Sequence, residues 1–390
     1  MKTLCLVFAL TAANAASVTV PLIVEGNAPI VNVRVKHGAS IRMARFLVDT
    51  GGGAVIFGSK VMADIGAKPT GPEMNEGGDR MVPVDGVTLA IGGMEVDLKD
   101  VRLFAMTSSA RTMRRNDVEG LLPAGVLRKY RVTFDYPGRK FKLAPEHGQK
   151  GKGVAVKTPI GSRSGFPRLE AQIGGKSYGF LLDTGASFTM VSLRPLTGWK
   201  AENPQWPEAI GAVGFSNMFG GDFDNKSLML RADKVQVATF PLSGVAIVSR
   251  AVGTFEDYMS PAMSSPIIGA IAGNVLRDFR VEIDYQRGIT YLQKRRSSND
   301  SDLTGVGLVV GVSGSGDVAV TGIGSTAADE TKRLVQRRDV LLAIDRRNVS
   351  GEPIALVAEL LSGAPGSKKR LTLRRNGEQL EVEVPVVKLL

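Results

Sequence analysis

A chain of 390 residues with one cysteine and two histidines has few ways to build the commoner hydrolytic centres. The cysteine, Cys5, lies in an N-terminal stretch expected to be removed, so no disulfide is expected within the mature chain. His37 sits beside Gly38 in an expected turn, and His147 lies in a polar connecting stretch. A Ser-His or Cys-His nucleophile pair and a His/Cys zinc site are therefore both poorly supported. A glycine-rich phosphate loop ending in Lys-Ser/Thr is missing as well. Beyond the N-terminus no run approaches the roughly twenty uninterrupted apolar residues of a membrane span. Neither a metal, a cofactor nor a transmembrane span is expected.

What is present begins with an export pattern. Residues 1–15 carry one lysine, an apolar run over 3–13 and the small-residue site Ala13-Asn14-Ala15, which reads as a secretory signal cleaved near Ala15. The expectation is a periplasmic or secreted protein, for which nucleic acid is not an expected partner. A 43% hydrophobic content suits two or three packed domains. The net charge of +11 is uneven: residues 301–390 hold 12 basic and 11 acidic side chains, against 37 and 27 in the first 300. That excess either draws the protein weakly to anionic surfaces or acidic substrates, or is dispersed and solvated; composition alone leaves both open.

Two stretches organise the chain. Phe46-Leu47-Val48-Asp49-Thr50-Gly51-Gly52 and Gly179-Phe180-Leu181-Leu182-Asp183-Thr184-Gly185-Ala186-Ser187 each carry an apolar run to an acid, a hydroxyl and a glycine. Each places a carboxylate at the tip of a buried strand where the chain turns sharply. One such triplet is an ordinary turn; two equivalent ones allow the acids to face each other across a pseudo-two-fold axis. A second duplication supports this. Residues 120–136, from Gly120-Leu121-Leu122-Pro123 to Phe134-Asp135-Tyr136, match 269–285, from Gly269-Ala270-Ile271-Ala272 to Ile283-Asp284-Tyr285, without a gap. Each copy continues through a turn into a short apolar strand, 140–143 or 289–292, and hairpin-like patterns precede both triplets. Residues 18–146 and 153–294 thus read as two lobes of one design, joined by a polar, glycine-rich linker. Each lobe also has a glycine-rich tract before alternating strands. The tract at 211–222, with Phe215, Met218 and Phe219, is the better candidate for a cover over a cleft, a plain surface loop being the alternative.

This duplicated, ordered pattern resembles aspartic proteases, particularly the retropepsin-like type, in which Asp-Thr-Gly-Ala is typical; Asp183-Thr184-Gly185-Ala186 fits directly. The resemblance covers about 275 residues. It implies a mainly β fold of two barrel-like lobes flanking a substrate cleft, with Asp49 and Asp183 catalytic. It also implies that Thr50 and Thr184 cross-brace the two loops, with Gly51 and Gly185 completing them. Lobe 1 departs from the pattern at Gly52-Gly53 and at Leu121-Leu122-Pro123, and its tract has no Tyr, unlike the pepsin branch. Two carboxylates held together share a proton and titrate as a unit. The ionised one can take a proton from water while the other polarises a carbonyl. An exported endopeptidase acting on protein or peptide substrates is the expectation; a non-catalytic peptide-binding scaffold is the alternative.

After a polar linker, residues 302–390 resemble a PDZ domain. Gly305-Val306-Gly307-Leu308 resembles its carboxylate-binding loop, and Asp339-Val340-Leu341-Leu342-Ala343-Ile344-Asp345 its central strand motif. Residues 353–361 suit the helix beside its groove, and Asn376-Gly377 marks a final hairpin. Arg338 stands where that family usually has Gly. The resemblance implies that C-terminal peptides bind as an added strand; a small β domain that only packs on the lobes is the alternative.

Overall fold

The computed structural model describes residues 17–76, 79–107, 117–145, 149–216, 222–295, 303–313 and 315–390. The stretch expected to be a signal lies outside them, as do His147, Met218 and Phe219. With 46% strand against 15% helix, the chain is mainly β and forms several sheets.

Two of these sheets have the same strand order. The first runs Met74–Glu76, Asp79–Pro83, Leu103–Met106, Val55–Phe57, Gly120–Pro123, Ser40–Asp49, Ala28–His37, Val87–Ile91, Met94–Glu95. The second runs Glu208–Ile210, Leu228–Ala232, Val245–Arg250, Thr189–Ser192, Gly269–Ile271, Lys176–Leu182, Arg168–Ile173, Val235–Val237, Phe240–Leu242. The orientations match pair by pair. Ser40–Asp49 lies parallel to Gly120–Pro123 as Lys176–Leu182 does to Gly269–Ile271, and Val55–Phe57 is parallel to Leu103–Met106 as Thr189–Ser192 is to Val245–Arg250. The strands that end in the acids are central in their sheets, with neighbours on both edges. That is why Phe46, Leu47, Val48, Phe180, Leu181 and Leu182 form continuous buried runs rather than alternating ones.

A third, six-stranded sheet joins the two halves in the order Val18–Pro21, Lys140–Ala144, Arg131–Asp135, Phe279–Asp284, Ile289–Lys294, Val154–Lys157. Its middle pair is antiparallel, with Arg131 opposite Asp284, Thr133 opposite Glu282 and Asp135 opposite Arg280. Thr133 and Glu282 are equivalent positions of the two sequence repeats and the flanking pairs are related by exchanging the halves, so the pseudo-two-fold axis passes between Thr133 and Glu282. Glu282, nearly buried, is ion-paired to both Arg131 and Arg280, which ties the two halves electrostatically at the axis. Most of both halves shares one hydrophobic core, running from Val31 and Phe46 through Phe134 and Phe141 to Phe180 and Ile283.

The remaining residues form a six-stranded sheet, five of its strands in the order Leu308–Val312, Val318–Ile323, Val340–Ile344, Lys368–Arg375, Glu378–Pro385. The short strand Arg347–Asn348 pairs with Val340–Ile344, and a separate pair joins Thr304–Gly305 to Val387–Lys388. This part has its own core around Val310, Val320, Leu341, Leu371 and Val384. Asn376 and Gly377 turn the last hairpin with φ of 52° and 90°, the left-handed pair its two-residue turn demands. Arg338, with φ of 75°, adopts the glycine-favouring conformation that its position suggested.

Candidate active site

The site is built where the two central strands run out. Asp49 is the last residue of Ser40–Asp49 and Asp183 follows Lys176–Leu182 directly. Each carboxylate turns back on its own loop: Asp49 Oδ1 accepts the Gly51 N–H at 2.8 Å, while Asp183 Oδ1 accepts those of Gly185 at 2.9 Å and Ala186 at 3.1 Å. Such short-range bonds help to fix a carboxylate's direction. Asp183 is only 8% exposed, so its carboxyl group is buried rather than out on the surface.

The two loops are clamped together by their threonines. The Thr50 N–H donates to Thr184 Oγ1 at 3.1 Å, and the Thr184 N–H donates to Thr50 Oγ1 at 2.9 Å. In turn, Thr50 Oγ1 donates to the Leu182 carbonyl at 2.6 Å and Thr184 Oγ1 to the Val48 carbonyl at 2.7 Å. Both side chains are fully buried. This reciprocity obeys the same two-fold axis as the central sheet. Replacing Thr50→Val keeps the shape but leaves the Leu182 carbonyl and the Thr184 N–H without their partner. A loss of about 2–6 kcal/mol is expected, at roughly 1–3 per orphaned group, and would be read as a lower urea midpoint. An unchanged midpoint would remove the clamp from the structural role given to it here.

The glycines bring the acids together. A Cβ on Gly185 would lie 2.4 Å from Asp49 Cγ and Oδ1, and one on Gly51 3.2 Å from Asp183 Cγ. Each glycine therefore packs against the carboxylate of the opposite loop, and only the lack of a side chain permits that approach. Asp49, Thr50, Gly51, Asp183, Thr184 and Gly185 thus converge on one site.

Four participants had not been assigned a role from sequence. Asn274 Oδ1 accepts the Thr189 N–H at 2.7 Å and hydroxyl at 2.9 Å, and its Nδ2 donates to the Ala246 carbonyl at 2.8 Å. With Gly273 N–H donating to the Ala186 carbonyl at 2.9 Å, this network locks the Asp183 loop to the helix Gly273–Leu276. The equivalent positions in the first half are Gly125 and Val55, which cannot form it; there Ala124 N–H donates to the Gly52 carbonyl at 3.1 Å. Tyr136 and Tyr285, the last residues of the duplicated segment, are buried, and neither hydroxyl has a hydrogen-bond partner among the described residues. Burial pushes both phenols up, and the opposite half's acid adds to this, Asp183 for Tyr136 and Asp49 for Tyr285. Both stay neutral beneath the carboxylates. The repeat that ends in each tyrosine was the signal that could have found them.

A cavity of about 1330 Å3 opens beside the Asp49 loop, lined there by Gly51 and Gly53. Phe215, the described member of the candidate cover, lies elsewhere. It packs against a second core that includes Ala186, Phe188, Val309, Leu389 and Leu390, and lines a separate cavity of about 480 Å3 with Tyr136, Arg277 and Glu359. Gly305, Val306, Gly307 and Leu308 are all buried. The Val306 N–H donates to the Leu361 carbonyl at 3.1 Å, and Val213, Gly214 and Leu389 close over the loop, leaving about 10 Å3, the room of one water. The neighbouring segment is fastened on: the Ser325 N–H donates to the Ile210 carbonyl at 2.8 Å, the Ile210 N–H to Ser325 Oγ at 2.7 Å, and Asn225 Nδ2 to the Thr321 carbonyl at 2.6 Å. A peptide carboxylate reaches this loop only if Val213 and Gly214 move away.

Among the described residues no helix is long and apolar enough to cross a membrane. The chain matches no family model and no curated protein.

Proposed function

We propose that this chain is an aspartic endopeptidase whose dyad, Asp49 and Asp183, comes from two halves of one polypeptide. The observation that carries the reading is the reciprocal Thr50–Thr184 clamp, with each triplet glycine seated on the opposite carboxylate. That arrangement holds two acids together beside the cavity that Gly51 lines. The ionised acid takes a proton from a water molecule as its oxygen attacks the scissile carbonyl carbon. The protonated acid hydrogen-bonds the carbonyl oxygen, and a proton then passes to the departing amine nitrogen as the C–N bond breaks. The neutral phenols of Tyr136 and Tyr285 add no competing charge beneath the pair.

The first residues, up to Ala15, are proposed to direct export. The 302–390 segment is proposed as a PDZ-like module whose peptide loop is covered by Val213 and Gly214 in this arrangement. A second reading, a peptide-binding scaffold without catalysis, draws on Gly125 and Val55, which stand in the first half where Asn274 and Thr189 bond in the second. Cleavage of unfolded casein, followed from mildly acidic to alkaline pH, separates the two. The expected result is cleavage that declines on the alkaline side, where the proton shared by the dyad is lost. No cleavage at any pH, from a folded chain, would favour the scaffold.

A further inference from the structure

The cleft beside the Asp49 loop has a mostly cationic wall. Lys99, Arg102, Arg128, Lys129 and Arg163 line the same cavity as Gly51 and Gly53, and Asp100 is the one acid among the described residues that lines it. Two of the five cations are already engaged. Lys129 pairs with Asp97 at 3.1 Å, and Asp97 is held below the usual carboxylate range by the Lys99 backbone N–H and by Lys129, so that pair stays ionised and mutually neutralised. Arg128 Nη1 donates to the carbonyls of Ser162 at 2.9 Å and Arg163 at 3.3 Å, which fastens the 162–163 turn to the helix Ala124–Leu127 and so fixes the wall.

Lys99, Arg102 and Arg163 are exposed and have no carboxylate partner among the described residues. Arg102 rests its guanidinium 5.6 Å above the Phe104 ring, which holds the side chain in place without neutralising it. Tyr258, 73% exposed, lines the same cavity with Met259 and Met263 and supplies an apolar surface beside the charge.

We propose that this cleft selects acidic peptide segments: substrates whose Asp or Glu residues lie within a few positions of the scissile bond, next to an apolar residue that packs on Tyr258. Cations in a concave surface focus their field and raise the local concentration of an anionic chain. An excess of cations this close to the site also disfavours basic segments. The assignment rests on the cleft being the substrate cleft of the proposed protease.

The test compares two peptides of one apolar core, flanked by Glu in one and by Lys in the other. Both are measured for cleavage by the wild-type chain, and for binding by fluorescence anisotropy to the Asp183→Asn chain, which needs no turnover. The acidic peptide is expected to give at least about tenfold higher kcat/KM and tighter binding, with the preference shrinking in 0.5 M salt. The double change Arg102→Glu and Arg163→Glu, at exposed positions, is expected to reverse the preference while circular dichroism stays unchanged. Equal handling of the two peptides, or a preference that survives the double change, overturns the inference and leaves the protease reading intact. Selective binding of the acidic peptide without cleavage by the wild type supports the charged cleft and sinks the protease reading instead.

Discussion

Asp49→Asn is expected to lower casein cleavage by about a thousandfold or more while the chain stays folded. The change is nearly isosteric and keeps an oxygen that can accept the Gly51 N–H, so the loop has no reason to rearrange. What it removes is the ability to exchange a proton, and acid–base roles of this kind contribute about 10²–10⁴ each. Asp183→Asn is expected to do the same, since the amide oxygen can still accept the Gly185 and Ala186 N–H groups. Near-full activity in Asp49→Asn would mean that Asp49 is not part of the dyad. A dimer pairing two copies of Asp183 would then be the better description.

The second large effect is expected from adding one methyl group. In Gly185→Ala the new Cβ would stand 2.4 Å from the Asp49 carboxylate, which has to move by an ångström or more or push the loops apart. A misplacement of about 1 Å costs on the order of a hundredfold in rate. Gly51→Ala, at 3.2 Å from Asp183 and Leu181, is expected to do less, because a few tenths of an ångström relieve it. Gly198→Ala, in the helix Leu193–Glu202 with nothing within 4 Å of the new atom, is the control and is expected to leave activity unchanged. If Gly185→Ala were as active as Gly198→Ala, the close seating of that loop on Asp49 would be wrong.

Much of this was legible in the sequence because it is local. Apolar runs ending in Asp-Thr-Gly, a gapless repeat and an Asn-Gly turn each report on a few adjacent residues, and a duplicated local pattern signals a duplicated unit. The mainly β class was what the resemblance carried by those patterns implied, and the strand content agrees with it. The rest depends on which distant segments meet. Asn274 reads as an ordinary helix residue until Thr189, 85 positions away, is seen to bond it. The covering of Gly305 and Gly307 by Val213 and Gly214 belongs to a contact between separate parts of the fold, and glycines in a sequence do not reveal what packs on them. Charge behaved likewise. The basic excess of the first 300 residues could have been dispersed, and only folding gathers Lys99, Arg102, Arg128, Lys129 and Arg163 onto one wall.

The single-chain dyad is tested most directly by the casein cleavage rate of an equimolar mixture of Asp49→Asn and Asp183→Asn chains, beside the wild type. Each mutant chain carries one of the two acids, and the Thr50–Thr184 clamp joins loops of the same polypeptide. The expected result is an active wild type and a mixture no more active than either variant alone. Recovery of a substantial part of the wild-type rate in the mixture would place the two acids on different chains and contradict it.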